Sequence, residues 1–98
     1  MADSKAKWTF FSNHAHVYFL LARKSEIVMR EIAQEVGITE RAVQGIVDDL
    51  ESEGYITKEP LGRTYRYHTV AGMSLRHKLE LSVQLDDLTR IIKKTSKT

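Results

Sequence analysis

The apolar residues that follow residue 12 are so closely spaced that they predict a helix with apolar side chains on nearly every side. Ser12 or Asn13 is the expected N-cap, and residues 14–23 have the composition of a helix. Tyr18 and Phe19 extend the apolar surface beyond the single stripe that a surface helix requires. Because such a helix is normally buried on more than one side, the pattern indicates contact with a second copy of the chain.

Two short amphipathic helices follow, and a tight turn joins them. In the first, residues 29–36, the apolar side chains share one face, and Gly37 suits the left-handed turn that ends it. Thr39 is a good N-cap for the second, whose apolar residues recur at spacings of three, one and three as far as Leu50. Residues 25–28 are too few for a helix and predict a short strand before this pair.

The second half of the chain predicts a β-hairpin and a last helix. Two runs rich in Tyr, Thr and Val, residues 55–59 and 64–70, flank the turn residues Pro-Leu-Gly-Arg. After a break, Ser74 can cap a final helix, in which leucine and isoleucine side chains recur at heptad spacing over residues 81–92. This spacing favours a seam between two copies of the helix over packing within one chain.

These elements predict one small domain of the mainly α class with a β-hairpin, an α+β architecture. A chain of 98 residues has room for one domain with a tail but not for a two-domain enzyme. We divide it into an N-terminal arm (1–11), a domain of three helices and a hairpin (12–70), and a C-terminal dimerisation helix (74–94). A domain this small gains core by pairing, which favours a homodimer.

The composition is that of an ordinary globular protein, with 42% hydrophobic and 29% charged residues. The chain contains no cysteine, which excludes disulfides and cysteine-based zinc sites. The longest unbroken apolar stretch, residues 17–22, is far shorter than the ~18–20 residues of a membrane span. The first seven residues lack the apolar core of a signal peptide. We therefore expect a cytoplasmic protein without membrane contact.

Charge is distributed unevenly along the chain, although the formal total is only +2. Residues 1–28 carry a net charge of +2, residues 29–54 of −5, and residues 55–98 of +5. The acidic segment contains the second and third helices, and the basic segment contains the hairpin and the last helix. The basic segments favour a polyanionic partner such as nucleic acid, whereas the acidic segment between them opposes that attraction.

The sequence contains no pattern typical of catalysis or cofactor binding. It has no phosphate-cradling glycine loop and no arrangement of Ser, His and Asp or of paired carboxylates. His14 and His16 lie about 200° apart on a helix, so they cannot chelate one ion together. His68 and His77 are not accompanied by a carboxylate cluster. We expect no enzyme, no cofactor and no metal site, and the sequence shows no specific chemistry for a small-molecule effector.

The segment from the second helix to the hairpin carries a recognisable series of motifs. Ile-Ala-Gln-Glu-Val-Gly-Ile-Thr-Glu-Arg-Ala-Val is followed by Leu-Glu-Ser-Glu-Gly-Tyr-Ile and by a Gly-Arg-containing hairpin that ends in Tyr-Arg-Tyr. This order resembles the winged helix-turn-helix transcriptional regulators of bacteria and archaea, and it is similar to the MarR and ArsR groups. The resemblance covers residues 13–69 and is most specific in the helix-turn-helix and in the junction 50–56.

The resemblance implies sequence-specific binding of double-stranded DNA by a homodimer. It implies that the recognition helix, residues 39–53, enters the major groove and that the wing, residues 55–69, contacts the minor groove or the backbone. The candidate DNA-binding residues of the recognition helix are Thr39, Glu40, Arg41, Gln44, Gly45 and Asp48. Those of the wing are Lys58, Arg63 and Arg66. The candidate dimer-interface residues are Tyr18, Phe19, Leu81, Leu85, Leu88 and Ile92.

The chemistry of these side chains suits a duplex. Arg41 can donate two hydrogen bonds to a guanine edge, and Gln44 can pair with an adenine edge. Arg63 lies at the wing tip, where a positive charge suits the minor groove or the phosphates. Asp48 would reduce the affinity if it faced a phosphate. The acidic residues around the recognition helix leave few positive contacts per subunit, so we expect a modest salt dependence. The alternative, which the acidic segment favours, is a winged-helix module that binds another protein and no DNA.

Overall fold

The structure is a computed structural model that describes residues 8–95. Its helices are α1 (Asn13–Arg23), α2 (Met29–Val36), α3 (Glu40–Ser52) and α4 (Leu85–Thr95). Its strands are β1 (Ile56–Leu61) and β2 (Thr64–Thr69), and a short 3-10 helix covers Lys78–Glu80. The predicted α+β class, with three helices, a hairpin and a terminal helix, is confirmed. Residues 1–7 of the predicted arm lie outside the described residues.

The residues predicted to begin and end the first helices do so. The Ser12 hydroxyl accepts a hydrogen bond from the Ala15 amide at 3.3 Å, and the Thr39 hydroxyl accepts one from the Ala42 amide at 3.0 Å. Gly37 ends α2 with a φ of 88°, a conformation that other residues rarely adopt. α2 has only 8 residues and starts without a side-chain cap, so its packing against α1 and α3 supplies most of its stability.

Helices α1, α2 and α3 pack around one apolar core, which the inner face of the hairpin closes. Its most deeply buried side chains come from all of these elements: Val17, Leu21, Ile32, Val43, Val47 and Ile56. Apart from the hydroxyl groups of its tyrosines, the core contains no buried polar or charged residue among residues 8–93. None of the helices described is long and apolar enough to cross a membrane.

β1 and β2 pair in antiparallel register along their whole length. Gly62, with a φ of 65°, and Arg63 form the turn between them. The predicted short strand at residues 25–28 is wrong, because this segment is irregular. The Ser25 carbonyl accepts one hydrogen bond from the Tyr67 amide at 2.8 Å, but a strand requires a repeated ladder of such bonds.

The C-terminal helix begins later than the sequence pattern predicts. Ser74 does not cap a helix but forms an isolated bridge with Gln84, and residues 74–84 are irregular apart from the 3-10 helix. The Leu85 amide donates to the Met73 carbonyl at 2.8 Å and closes this segment into a loop. The leucines of this loop have the spacing of a helix. The backbone hydrogen bonds that join residues 73–74 to residues 84–85 replace the helical hydrogen bonds there, so no helix forms.

The residues predicted to form a dimer interface pack largely within the protomer. Three of them lie in the core: Tyr18, Phe19 and Leu85. Leu88 and Ile92 are partly buried against that core, whereas Leu81 is 56% exposed. The apolar surface of α1 is therefore covered by α2, α3, β2 and α4 of the same chain, and its all-round apolar character does not require a second chain. The dimer itself stays a prediction.

Candidate nucleic-acid interface

The apolar stripe of α3 faces the core, as predicted, and this turns the other side of the helix toward solvent. The buried residues of the helix are Val43, Ile46, Val47 and Leu50. The residues predicted to contact DNA from this helix are all exposed: Thr39, Glu40, Arg41, Gln44, Gly45 and Asp48. Arg41 and Gln44 therefore lie where a duplex can reach them.

The two residues predicted to contact bases differ in their surroundings. Within residues 8–95, no hydrogen bond or ion pair engages the Arg41 side chain. Gln44 donates a hydrogen bond from Nε2 to Asp48 Oδ1 at 2.9 Å, about one helical turn along the helix. A side chain added at Gly45 would meet nothing within 4 Å, so the helix surface beside Gln44 is open. The face thus presents one free guanidinium and one oriented amide.

Acidic residues in the C-terminal half of α3 contact basic or histidine side chains of neighbouring elements. Three such pairs lie at the end of the helix or at its C-cap, Glu53: Asp49 with His14 at 2.8 Å, Glu51 with Lys58 at 3.6 Å, and Glu53 with Arg76 at 3.9 Å. Surface pairs of this kind contribute little to stability because water screens them. Their main consequence is that two cationic side chains, Lys58 and Arg76, offset negative charge close to the exposed face of α3.

The uneven charge of the sequence therefore has a structural counterpart. Four of the seven acidic residues in residues 29–54 pair with side chains of the flanking segments, the fourth being Glu35 with Lys24 at 3.9 Å. Folding brings the basic flanks against the acidic segment, so its charge of −5 is not a free acidic surface. Three of these pairs lie toward the end of α3, whereas Arg41 lies in its first turn.

The wing presents Arg63 and Lys58 in different ways. Arg63 is exposed in the hairpin turn and has no ion pair within the part of the chain that the structure describes. The Lys58 ammonium lies 3.6 Å from Glu51 Oε1 and 4.7 Å from the centre of the Tyr65 ring, and the residue is half-buried. Arg63 is therefore available to contact a phosphate. Lys58 can contact a phosphate only after it leaves Glu51 and the Tyr65 ring.

Arg66, the third wing residue, is attached to the connection between α1 and α2. Its Nε donates to Glu26 Oε2 at 2.9 Å, and its Nη2 lies 2.7 Å from the same oxygen. This hydrogen bond raises the pKa of Arg66 above its ordinary value, so the guanidinium stays charged. Sequence reasoning missed Glu26, because the two residues are 40 positions apart and no local pattern links them.

The four histidines do not gather into a metal site. Among residues 8–95, no group of three or more His, Cys, Asp or Glu side chains is arranged to hold an ion. His68 lies on the outer face of the wing, where its Nε2 is 2.6 Å from Glu59 Oε1. This hydrogen bond holds the pKa of Glu59 below its ordinary value.

Solved structures of bacterial regulators share this fold. A MarR-like transcriptional regulator from Thermotoga maritima is 24% identical, with a TM-score of 0.52, over 69% of this chain and 49% of its own. A variant of ZitR from Lactococcus lactis is 19% identical, with a TM-score of 0.57, over 93% of this chain and 59% of its own. FabT from Streptococcus pneumoniae, solved in complex with DNA, is 16% identical, with a TM-score of 0.60, over 98% of this chain and 62% of its own. The chain thus spans about half to three-fifths of their lengths.

These similarities confirm the predicted winged-helix fold and its likeness to MarR-like regulators. No curated protein sequence matches the chain significantly. The sequence profile of the family described as "Sugar-specific transcriptional regulator TrmB" matches residues 7–71, well over half of the chain, which include the helix-turn-helix and the wing. That family consists of transcriptional regulators, so the expectation that the chain is not an enzyme is confirmed. The chain belongs to the TrmB family of transcriptional regulators.

Proposed function

We propose that this protein binds double-stranded DNA sequence-specifically, with α3 in the major groove and the wing on the minor groove or the phosphates. The observation that carries the proposal is the exposed face of α3, on which Arg41 and Gln44 protrude on the side away from the core. An α-helix fits the major groove of B-DNA, and the edges of the bases are accessible there. The open surface at Gly45 favours a close approach of the helix to the bases.

Each side chain has a role that its chemistry suits. Arg41 donates two hydrogen bonds to guanine, and Gln44 pairs with adenine. Thr39 and Glu40 lie at the N-terminus of α3, nearest to the backbone or to a cytosine amino group. Arg63 contacts a phosphate or the minor groove from the wing turn.

The DNA-bound form that we propose is a homodimer, in which terminal helices set the distance between two recognition helices. Exposed apolar side chains near the C-terminal end support this assembly: Leu79 is 82% exposed, and Leu81 and Ile91 are each 56% exposed. Two equal subunits read two half-sites when their recognition helices stand roughly 34 Å apart, one turn of DNA, or a multiple of that distance. We expect such a regulator to act in the cytoplasm.

Selection from a random duplex library tests this proposal directly. The full chain is incubated with the library, bound duplexes are amplified, and the enriched sequence is titrated by fluorescence anisotropy against a scrambled duplex. We expect an enriched motif with twofold symmetry and tighter binding to it than to the scrambled duplex, at both low and moderate salt. No enrichment, together with no binding at micromolar protein, would contradict the proposal.

The alternative is a winged-helix module that binds another protein. Its motivation is the charge of −5 in residues 29–54, and four of the seven acidic residues there have partners within the fold. Three of these pairs join a carboxylate to a lysine or an arginine, so they leave less free negative charge for a basic protein partner. A library selection that enriches nothing, combined with a stoichiometric complex with a basic protein, would favour the alternative.

A further inference from the structure

Asp48 is a negative charge on the helix face that we propose enters the major groove. Such a charge opposes binding to a polyanion, because it repels the phosphates that flank the groove. Its carboxylate accepts a hydrogen bond from the Gln44 side chain, with 2.9 Å between Oδ1 and Nε2. Both residues are exposed, so this contact is not needed to bury either of them. We therefore expect a favourable contribution of Asp48 to DNA recognition that offsets its repulsion of the phosphates.

The hydrogen bond to Asp48 fixes the orientation of the Gln44 side-chain amide. The oxygen and nitrogen of a glutamine amide can exchange places by a half-turn of the terminal torsion. An ionised carboxylate only accepts hydrogen bonds, so it holds Nε2 toward Asp48 and Oε1 away from it. One N–H of the amide is donated to Asp48, while the second N–H and the carbonyl oxygen remain available. The free edge therefore has one donor and one acceptor in a fixed order.

We propose that Asp48 is a positioning residue that fixes this order, so that Gln44 selects adenine in one orientation of the base pair. The proposal rests on the proposed function, in which α3 lies in the major groove. Adenine presents the acceptor N7 beside the donor N6 amino group, which matches the free amide edge. Guanine presents two acceptors, N7 and O6, so Oε1 would face a second acceptor there. A fixed order also distinguishes A·T from T·A, because turning the base pair round reverses the order of its donor and acceptor in the major groove.

The test measures base preference at a single position. Library selection with the wild-type chain and with Gln44→Ala identifies the base pair whose enrichment depends on Gln44. Four duplexes that differ only at this pair are then titrated by fluorescence anisotropy with each variant. We expect the wild type to prefer A·T over the other three pairs by roughly tenfold or more, as a bidentate contact does. Circular dichroism verifies that each variant is folded.

Asp48→Asn and Asp48→Glu form the matched pair of variants. The asparagine amide of the first variant both donates and accepts, so it tolerates either order of the Gln44 amide. We expect Asp48→Asn to reduce the adenine preference to about twofold or less and to tighten binding to all four duplexes, because a negative charge is removed. Asp48→Glu retains the carboxylate and is expected to retain most of the preference.

Three outcomes separate this inference from the function on which it rests. In the Gln44→Ala background, Asp48→Asn should change the overall affinity but no longer the base preference. If Asp48→Asn tightens all four duplexes equally and keeps the full adenine preference, Asp48 acts only as a general charge and the inference is wrong. If the wild type enriches no sequence at all, the proposed function fails, and the inference fails with it.

Discussion

Arg66 of β2 makes two close contacts with one carboxylate oxygen of Glu26, at 2.9 Å from Nε and 2.7 Å from Nη2. Beside them, the Ser25 carbonyl accepts a hydrogen bond from the Tyr67 amide at 2.8 Å. The connection between α1 and α2 is therefore attached to the wing through both side chain and backbone. This attachment restricts how the wing stands relative to the helix-turn-helix, and it makes a carboxylate compete with phosphate for Arg66.

We expect Glu26→Gln to steepen the salt dependence of DNA binding. The neutral amide holds the guanidinium less strongly, so Arg66 is free to contact a phosphate and release about one more counterion. The slope of log K against log salt should then become steeper by about 0.9. Fluorescence anisotropy with one duplex between about 50 and 200 mM salt measures the slope.

The Arg66→Ala background provides the control for this prediction. Without the guanidinium, Glu26→Gln has no cation to release, and the salt slope should not change. If Glu26→Gln weakens binding and leaves the slope of the wild type, Arg66 serves to orient the wing and does not contact DNA.

Arg41→Ala and Arg63→Ala should have different effects on DNA binding. Arg41 lies on the exposed face of α3, and its loss should reduce discrimination at one base pair by about 1–3 kcal/mol. Arg63 lies in the wing turn, and its loss should weaken binding to all sequences alike and flatten the salt slope by about one. Titration of matched and mismatched duplexes at several salt concentrations distinguishes the two effects. The opposite assignment of effects would mean that Arg41 contacts the backbone and Arg63 the bases.

The helix-turn-helix could be predicted from the sequence because its signals are local. The Thr39 cap acts on the amide three residues ahead, and the left-handed Gly37 depends only on its own backbone. The apolar stripe of α3 then fixed which of its residues face solvent. The candidate residues on this helix are exposed for that reason.

Long-range contacts could not be predicted in the same way. The partner of Arg66 is 40 residues distant, and no pattern of spacing indicates it. At the C-terminal end, the helical spacing of the leucines competes with the bond from Leu85 to Met73, which joins residues on either side of a loop. The apolar side chains of α1 indicated a second chain, but the other helices and β2 of the same protomer cover them. Periodicity shows that a face is buried and does not show what buries it.

Tyr67 gives the stability of the fold a dependence on alkaline pH. Burial raises the pKa of its phenol above the ordinary value of 10.0, so the folded state binds the proton more tightly than the unfolded state does. Its contribution is complete below pH 10.0 and is lost as the pH rises through the raised pKa. We expect the free energy of unfolding of Tyr67→Phe to fall less than that of the wild type above pH 10.0. Urea titrations at neutral and alkaline pH measure this difference, and equal declines in the two proteins would contradict it.

Two glycine-to-alanine substitutions in the helix-turn-helix should change stability in opposite directions. Gly37 has a φ of 88°, so Gly37→Ala places a Cβ in a left-handed conformation and should lower the free energy of unfolding by roughly 1–2 kcal/mol. Gly45 lies inside α3 with open space around its Cα, so Gly45→Ala should raise the free energy of unfolding by about 0.5–1 kcal/mol. Urea unfolding of both variants beside the wild type provides the comparison.

Gly45→Ala should also weaken DNA binding while it stabilises the fold. The added methyl group lies beside Gln44 on the exposed face of α3, where our proposal brings the helix closest to the bases. It therefore holds the helix away from the groove and weakens the contacts of Arg41 and Gln44 together. Ala42→Ser is the matched control, since it changes another exposed position of α3 by one small group. A Gly45→Ala variant that is more stable and binds the selected duplex as tightly as the wild type would mean that another surface of the domain faces the DNA.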